Sequence, residues 1–308
     1  MNSRFEGVIT AMVTPITSKG KKVDLEATDS LVDFLIEKGV DGLFILGTFG
    51  EGLSFSVDER KKFTERVINH VNKRVLVIVH VSHTEIEGTE ELIEHARNKG
   101  AEAVALLPPF FYLVSEKALE NYFKQIFKKF KTVPFFIYNL PQLAGNNVTL
   151  PVFQSLVEDC PNFVGVKNST SDFVSFESVL TLKDKISFLV GNDYLVYAAL
   201  LLGAKGIVSG PSNSIPEPYI RLYRAFKSGD YEGARREQMA LNSFFEKAEK
   251  ILEMGEGEEF SFYKRIVRLR GVNVGGEMKE PLPNLNSTKE ASLRPLIEEA
   301  FQSGLIQK

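Results

Sequence analysis

Three successive segments of the chain are GLFILG (residues 42–47), SVDERKKFTERVINHV (residues 56–71) and VLVIVHV (residues 75–81). The first and last of these segments are almost continuously apolar, which is typical of parallel strands covered on both faces. The middle segment has apolar residues at helical spacing, and Ser56 followed three positions later by Glu59 predicts a capping box at its start. Together the three segments predict a strand–helix–strand unit.

The same alternation extends over most of the chain. Eight strand-like segments are present, and helical patterns separate them, for example at residues 25–39, at residues 89–100 and from Ser115 onward. The other six strand-like segments are GVITAMVTP (7–15), AVALLPPF (103–110), PFFIYNLP (134–141), FVGVKNS (163–169), SFLVGND (187–193) and GIVSGPS (206–212). Eight such units predict an α/β protein with a closed (β/α)8 barrel, or TIM barrel, because an open doubly wound sheet usually has fewer strands and a glycine-rich phosphate turn.

The pattern changes after Pro216. Helical segments then follow one another, interrupted by a loop rich in proline, asparagine and glycine around residues 280–286, with no strand-like segment among them. We therefore expect residues 1–225 to form the barrel and residues 226–308 to form a C-terminal helical extension packed beside it.

Composition narrows the range of functions. The chain has 308 residues, a net charge of −3 and no strongly basic half, so nucleic acid is not an expected partner. The single cysteine, Cys160, cannot form a disulfide framework or a cysteine-based zinc site. Neither a signal peptide nor an apolar segment of the ~20 residues that span a bilayer is evident. The predicted location is the cytoplasm, and no membrane partner is expected.

Lys167 is the most unusual residue at the predicted strand ends, where function is located in such barrels. It lies within the apolar segment FVGVKNS, in which a charged amine is costly to bury. Burial favours the neutral amine, and this is the form that attacks a carbonyl carbon. Alternatively, Lys167 is an ordinary lysine that reaches solvent or pairs with Asp172.

Two other strand ends offer helpers for this amine. Tyr138 ends the preceding strand, so its hydroxyl could relay protons to a bound intermediate, unless it is only a core aromatic residue. Thr48, Phe49 and Gly50 follow the second strand, and the glycines of this turn free the backbone to present N–H groups to an anion. A plain strand-to-helix turn would have the same composition.

The remaining polar residues at the strand ends support weaker hypotheses. His80 and His83 lack a third ligand at convincing spacing, so no metal site is predicted. Glu51 and Asp193 could act as a carboxylate pair, although nothing in the sequence brings them together. Candidate substrate contacts at the seventh and eighth strand ends are Asn192, Asp193 and Ser209.

Short motifs at the predicted strand ends occur in a recognisable order. They are GVITAMVTP (7–15), GTFGE (47–51), LPPFF (107–111), YNLP (138–141), GVK (165–167) and GND (191–193). In this order, and over essentially the whole chain, the sequence resembles the superfamily of class I aldolases that contains dihydrodipicolinate synthase and N-acetylneuraminate lyase.

The resemblance implies a mechanism. Lys167 would form a Schiff base with the keto carbon of pyruvate or of a 2-keto-3-deoxy acid, which would allow the C3–C4 bond to break or form. Tyr138 would shuttle protons while Thr48 orients its hydroxyl, and the backbone N–H groups of Thr48 and Phe49 would hold the substrate carboxylate. No metal or organic cofactor would be needed, and members of the superfamily are commonly homotetramers built as pairs of dimers.

Departures from the two named branches narrow the substrate. Dihydrodipicolinate synthases have an arginine where this chain has Leu143, and a leucine side chain cannot bind a second carboxylate. They also have a relay tyrosine at the position of Phe111, for which the adjacent Tyr112 could substitute. N-acetylneuraminate lyases have a glutamate for sugar hydroxyls where this chain has Tyr194, and the serine or threonine usual at Phe49 is absent too.

The remaining branch comprises the 2-keto-3-deoxygluconate aldolases of the Entner–Doudoroff type, which SNSIPE (212–217) and FFYLVSEK (110–117) resemble. Phosphate-tolerant members have an arginine in the second segment, where this chain has Leu113 and Val114. The expected substrate is therefore the non-phosphorylated acid, cleaved to pyruvate and a small aldehyde, glyceraldehyde. The alternatives are an N-acetylneuraminate lyase, a dihydrodipicolinate synthase-like enzyme, a hydro-lyase that uses the same imine on a keto-deoxy sugar acid, and a non-catalytic binding barrel.

Overall fold

Eight parallel strands close into a barrel in the computed structural model, which describes residues 4–17, 22–275 and 277–307. Each strand pairs with the next one along the chain, and the eighth pairs with the first. The strands are β1 (Gly7–Ala11), β2 (Gly42–Ile45), β3 (Leu76–His80), β4 (Ala103–Leu106), β5 (Phe135–Asn139), β6 (Phe163–Asn168), β7 (Ser187–Val190) and β8 (Gly206–Ser209). The predicted (β/α)8 barrel is confirmed. Residues 1–3, at the start of the segment in which no signal peptide is expected, lie outside the described residues.

Helices surround the barrel and continue beyond it. Within the described residues they are α1 (Leu25–Lys38), α2 (Val57–Val71), α3 (Ile86–Lys99), α4 (Glu116–Lys129), α5 (Pro141–Ala144), α6 (Leu150–Asp159), α7 (Phe173–Leu180), α8 (Val196–Leu202), α9 (Pro216–Lys227), α10 (Tyr231–Leu252), α11 (Glu258–Leu269) and α12 (Ser287–Gln302). None of these helices combines the length and the apolar character needed to cross a membrane.

Local sequence explains how the first helices begin and end. The Ser56 side chain accepts a hydrogen bond from the Glu59 N–H, and the Glu59 side chain accepts one from the Ser56 N–H, so the predicted capping box of α2 is confirmed. Gly39 follows α1 at φ 94°, a left-handed conformation that favours glycine and ends a helix. Ser115 caps α4 in the predicted way by accepting from the Ala118 N–H.

Side chains fill the barrel interior, so it is a core and not a pore. Phe44, Ile78, Phe136 and Leu189 are fully buried there, and burying one phenylalanine side chain contributes about 1.5–3 kcal/mol. Space for the ring of Phe136 comes from Gly165 on the adjacent strand, where a Cβ would lie 2.2 Å from a ring carbon. The helices pack on the outer face of the strands in a second and larger apolar cluster.

The segment after β8 is helical, as the sequence indicates. The predicted division after residue 225 falls inside α9, two residues before this helix ends at Lys227, and the division itself stays a prediction. α10 packs against α9, and Arg270, just after α11, donates to both carboxylate oxygens of Glu217 in α9 at 2.6 and 3.1 Å. α11 also contacts the turn that follows β8, which places it at the mouth of the barrel.

Candidate active site

Lys167 lies on β6 at the barrel mouth and is paired in register with Tyr138 of β5. Only 4% of the residue is exposed, and Nζ lies 3.8 Å from the ring centroid of Tyr138 and 4.3 Å from that of Phe44. Gly191 makes room for it, because a Cβ there would lie 3.2 Å from Lys167 Cε. The amine therefore contacts two aromatic rings, and this burial does not fit the alternative in which Lys167 reaches solvent.

Tyr138 brings the three predicted catalytic residues together. Its hydroxyl lies 3.0 Å from the Thr48 hydroxyl, and either oxygen can be the donor. The ring is almost completely buried and packs edge-on against Phe44 with centroids 5.5 Å apart. The residue whose ring contacts the Lys167 amine thus also pairs its hydroxyl with that of Thr48, and the predicted role of this pair in proton transfer stays a prediction.

The β2–α2 turn, residues 47–52, carries Thr48 and is held by its own backbone. The Glu51 N–H donates to the Thr48 carbonyl at 3.0 Å, and the Gly52 N–H donates to the Gly47 carbonyl at 3.2 Å. Thr48 and Phe49 line the cavity beside Lys167. Gly50 does not line it but packs against the backbone, where a Cβ would lie 2.9 Å from the nitrogen of Leu46, and its predicted substrate contact stays a prediction.

A cavity of about 600 Å³ opens above these residues. Predicted substrate contacts in its lining are Leu143, Asn192 and Asp193. One wall comes from the C-terminal extension, through α10, α11 and the loop between them, and the sequence contained no local signal for it. The extension residues in the lining are Phe245, Ala248, Glu249, Met254, Gly255, Glu256, Glu259, Phe260 and Tyr263.

Asp193 is held by two hydroxyl groups at the base of this cavity. Ser209 Oγ and Tyr219 Oη both donate to Asp193 Oδ1 at 2.6 Å. Burial raises the pKa of the Asp193 carboxyl, although these two hydrogen bonds and the nearby Lys167 act in the opposite direction. Ser209 lies behind Asp193 and outside the cavity lining, so in this structure it orients Asp193 instead of facing the cavity.

Tyr112 lies away from the cavity. It belongs to an exposed loop that follows β4, is itself 72% exposed and packs edge-on against Phe111. Neither Tyr112 nor Phe111 lines the cavity of this chain, and the contact of Tyr112 with substrate stays a prediction. Phe111 has φ 76°, a left-handed backbone conformation that is strained for a bulky residue.

One ring nitrogen of each of the two histidines forms a hydrogen bond to a backbone group. His80 Nδ1 bonds to the Leu46 carbonyl at 2.8 Å, and His83 Nδ1 accepts from the Glu85 N–H at 3.1 Å. Residues 4–17, 22–275 and 277–307 contain no group of three or more histidine, cysteine, aspartate or glutamate side chains that could hold a metal ion. Glu51 and Asp193 do not pair, because Lys264 contacts the former and Ser209 the latter.

Known proteins resemble this chain in sequence and in fold. The model of the dihydrodipicolinate synthetase family matches residues 4–300. "Putative 2-dehydro-3-deoxy-D-gluconate aldolase YagE" of Escherichia coli K12 is 30% identical over 301 residues, which are 96% of this chain and 97% of that protein. The N-acetylneuraminate lyase of Mediterraneibacter gnavus is 30% identical over 285 residues, 92% of this chain and 88% of that protein. A crystal structure of YagE in complex with pyruvate superimposes with a TM-score of 0.88 at 28% identity, over 96% of this chain and 98% of that one.

Proposed function

We propose that this chain, which belongs to the dihydrodipicolinate synthetase family within the class I pyruvate aldolases, cleaves 2-keto-3-deoxygluconate reversibly to pyruvate and glyceraldehyde through an imine at Lys167. The observation that carries the proposal is the Lys167 amine, buried at the barrel mouth 3.8 Å from the ring of Tyr138. The complex of its relative YagE with pyruvate supports pyruvate as the keto acid bound at this amine.

The proposed reaction begins when the neutral amine of Lys167 attacks the C2 carbonyl of the keto acid. Loss of water gives an iminium, which accepts the electron pair of the C3–C4 bond as this bond breaks. The Tyr138 hydroxyl donates its proton to the hydroxyl group that leaves C2 as water, and the resulting phenolate takes the proton of the C4 hydroxyl as the aldehyde leaves. The restored Tyr138 hydroxyl then donates this proton to C3. Hydrolysis of the resulting imine releases pyruvate and restores the amine. General acid–base transfer of this kind contributes about 10²- to 10⁴-fold to the rate.

The β2–α2 turn supports the binding of the substrate carboxylate in this proposal. Thr48 and Phe49 face the cavity next to Lys167, and the backbone N–H groups of such a turn suit an anion. The Thr48 hydroxyl is already paired with Tyr138 at 3.0 Å, so we assign it to orientation of the relay. The reaction as proposed needs no metal or organic cofactor.

The charge of the cavity supports a substrate whose far end is neutral. Among the described residues that line it, Lys167 is the one basic side chain, while Asp193, Glu249, Glu256 and Glu259 are acidic. The keto acid's own carboxylate would be held near Lys167, but a second carboxylate or a phosphate would face these acidic groups without a cationic partner. Sugar hydroxyls can donate hydrogen bonds to the same carboxylates. These contacts favour a non-phosphorylated sugar acid.

A substrate panel with analysis of products tests the proposal. Purified protein would be incubated separately with 2-keto-3-deoxygluconate, its 6-phosphate, N-acetylneuraminate, and pyruvate with aspartate semialdehyde. We expect pyruvate and glyceraldehyde from the first substrate at the highest kcat/KM, and no product from the Lys167→Ala variant. A dehydrated keto acid without an aldehyde would overturn the proposal in favour of a hydro-lyase. Turnover confined to N-acetylneuraminate, or to pyruvate with aspartate semialdehyde, would show that this compound is the substrate instead of 2-keto-3-deoxygluconate.

We also propose that the enzyme is a cytoplasmic homotetramer, a dimer of dimers. The loop after β4 supports self-association, because Phe111 and Leu113 in it are 84% and 77% exposed and Phe111 packs edge-on against Tyr112, which is 72% exposed. Exposed apolar groups that lie together are typical of protein–protein contacts. Light scattering at micromolar concentration should give the mass of four chains, and Leu113→Glu should give a smaller species. A monomeric wild-type protein would contradict this assembly.

A further inference from the structure

A buried ion pair joins the C-terminal extension to the β2–α2 turn. Lys264 Nζ of α11 lies 2.6 Å from Glu51 Oε1, and both side chains are completely inaccessible to solvent. The same amine also donates to the Glu277 carbonyl at 3.1 Å, and the Lys279 N–H donates to the second carboxylate oxygen of Glu51 at 2.5 Å. The Glu51 carboxylate is thus bound at both of its oxygens by residues of the extension.

Stability alone does not account for this pair. Removing two charges from water is costly, and apolar side chains of similar volume usually stabilise a protein at least as well as a buried ion pair does. Burial lowers the pKa of Lys264, while the adjacent Glu51 charge partly offsets the effect. We therefore explain this costly ion pair by the backbone conformation that it stabilises in the β2–α2 turn.

The backbone around Glu51 has strained conformations that other contacts must hold in place. Glu51 has φ 54° and Leu46, the residue just before the turn, has φ 60°, so two residues other than glycine are left-handed within six positions. Strained conformations of this kind persist only where the surroundings enforce them. Glu51 is also the donor of the hydrogen bond to the Thr48 carbonyl that closes the turn.

The helix that supplies Lys264 contacts the turn at a second point. Phe260 and Tyr263 lie close to Lys264 in the sequence of α11 and pack against the Phe49 ring. Their ring centroids are 5.0 and 5.8 Å, respectively, from that of Phe49. α11 therefore contacts Phe49 from the cavity side and binds Glu51 from the buried side. The backbone N–H groups of Thr48 and Phe49, which are assigned to the substrate carboxylate, belong to the same turn as these two contacts.

We propose that Lys264 is a positioning residue for the reaction: through its ion pair with Glu51, it holds the β2–α2 turn in the conformation that binds the carboxylate of the keto acid. The inference rests on the proposed imine chemistry of Lys167, since carboxylate binding is what the turn would supply to it. Lys264 itself does not line the cavity and would not touch the substrate.

The test measures borohydride trapping of pyruvate as a function of pyruvate concentration, together with thermal unfolding. Two variants break the pair: Lys264→Met, which has a neutral side chain of similar length, and Glu51→Gln, which keeps the shape of the carboxylate. Glu217→Gln is the matched control, because the Glu217–Arg270 pair also joins the extension to the barrel and is also nearly buried, but it does not touch the turn. We expect both pair variants to raise the half-saturating pyruvate concentration about tenfold, the effect of weakening one hydrogen bond to a charged group. The control should lower the unfolding temperature and leave half-saturation unchanged.

Each outcome separates the inference from the proposed function. If the wild-type protein is not trapped with pyruvate, the proposed function fails. If the wild type is trapped and the folded Lys264→Met and Glu51→Gln proteins reach half-saturation at the same pyruvate concentration, the pair is only structural and the inference is overturned. Should Lys264→Met fail to fold, the isosteric Glu51→Gln variant decides the matter by the same measurement.

Discussion

The hydroxyl oxygens of Tyr138 and Thr48 lie 3.0 Å apart, although the two residues are separated by 90 positions in the chain. The Tyr138 ring at the same time forms one face of the environment of the Lys167 amine, with its centroid 3.8 Å from Nζ. One side chain thus connects the proposed nucleophile to the turn proposed to bind the carboxylate. This connection gives the clearest consequences for mutation.

Tyr138→Phe should lower kcat for aldol cleavage about 10²- to 10⁴-fold, because it removes the hydroxyl that transfers protons and keeps the ring. The edge-on packing with Phe44 remains possible, so we expect the unfolding temperature to change little. Steady-state kinetics and thermal unfolding of the same preparation check both statements.

Thr48 offers a matched pair of controls for this prediction. Thr48→Ser keeps a hydroxyl within reach of Tyr138 and should retain most of the activity, whereas Thr48→Val has a similar volume but no hydroxyl and should lose kcat. Equal activities for the serine and valine variants would show that the 3.0 Å contact does not orient the relay.

Leu143→Arg should change the preference for substrates with a charged far end. Leu143 lines the cavity on α5 and is 65% exposed, so an arginine there can reach a second carboxylate or a phosphate. We expect kcat/KM for the phosphorylated keto-deoxy acid to rise about three- to tenfold, with the lower value reflecting solvent exposure of the site. The neutral control Leu143→Gln should leave the ratio of phosphorylated to non-phosphorylated substrate as it is, and the idea fails if both variants shift this ratio equally.

His80 should make the fold sensitive to acid. Burial, with a smaller contribution from the charge of Arg60, lowers the pKa of His80 to about 3, below its ordinary value of 6.5. Because the unfolded chain binds this proton first as the pH falls, the contribution to stability is present above about pH 6.5 and is lost progressively toward pH 3. We expect this group to remove about 2 kcal/mol of the unfolding free energy between pH 6.5 and 4.5.

The variant His80→Asn tests this contribution. Its side-chain amide can still donate to the Leu46 carbonyl, which His80 Nδ1 bonds at 2.8 Å, but it does not titrate. Denaturant unfolding at several pH values should therefore give a shallower acid dependence for the variant than for the wild type. Parallel curves would assign the acid sensitivity to other groups.

The barrel and its central residues were predictable because they depend on local patterns and on the order of strands. The Ser56 and Glu59 capping box forms within four residues, and adjacent strands of a barrel bring their ends together, which is why Lys167 and Tyr138 were expected to be neighbours. No local pattern could place Glu249 or Tyr263 in the cavity wall, because their position depends on how the extension packs against the mouth.

The sequence also could not predict which way the proposed substrate-binding residues face. Ser209 and Gly50 occupy predicted strand ends but face Asp193 and the backbone of Leu46 instead of the cavity. The alternation of side chains along a strand and the strained turn before α2 decide which way such residues point. The partnership of Glu51 with Lys264 joins positions 213 residues apart and has no signature in either segment.

Borohydride reduction in the presence of pyruvate, followed by intact and peptide mass spectrometry, tests whether Lys167 forms an imine with the keto acid. We expect a stable adduct with the mass of pyruvic acid less one oxygen atom, located on Lys167 and absent from the Lys167→Ala variant. A folded wild-type protein that gives no adduct, or an adduct on another lysine that persists in the variant, would contradict the imine mechanism at this site.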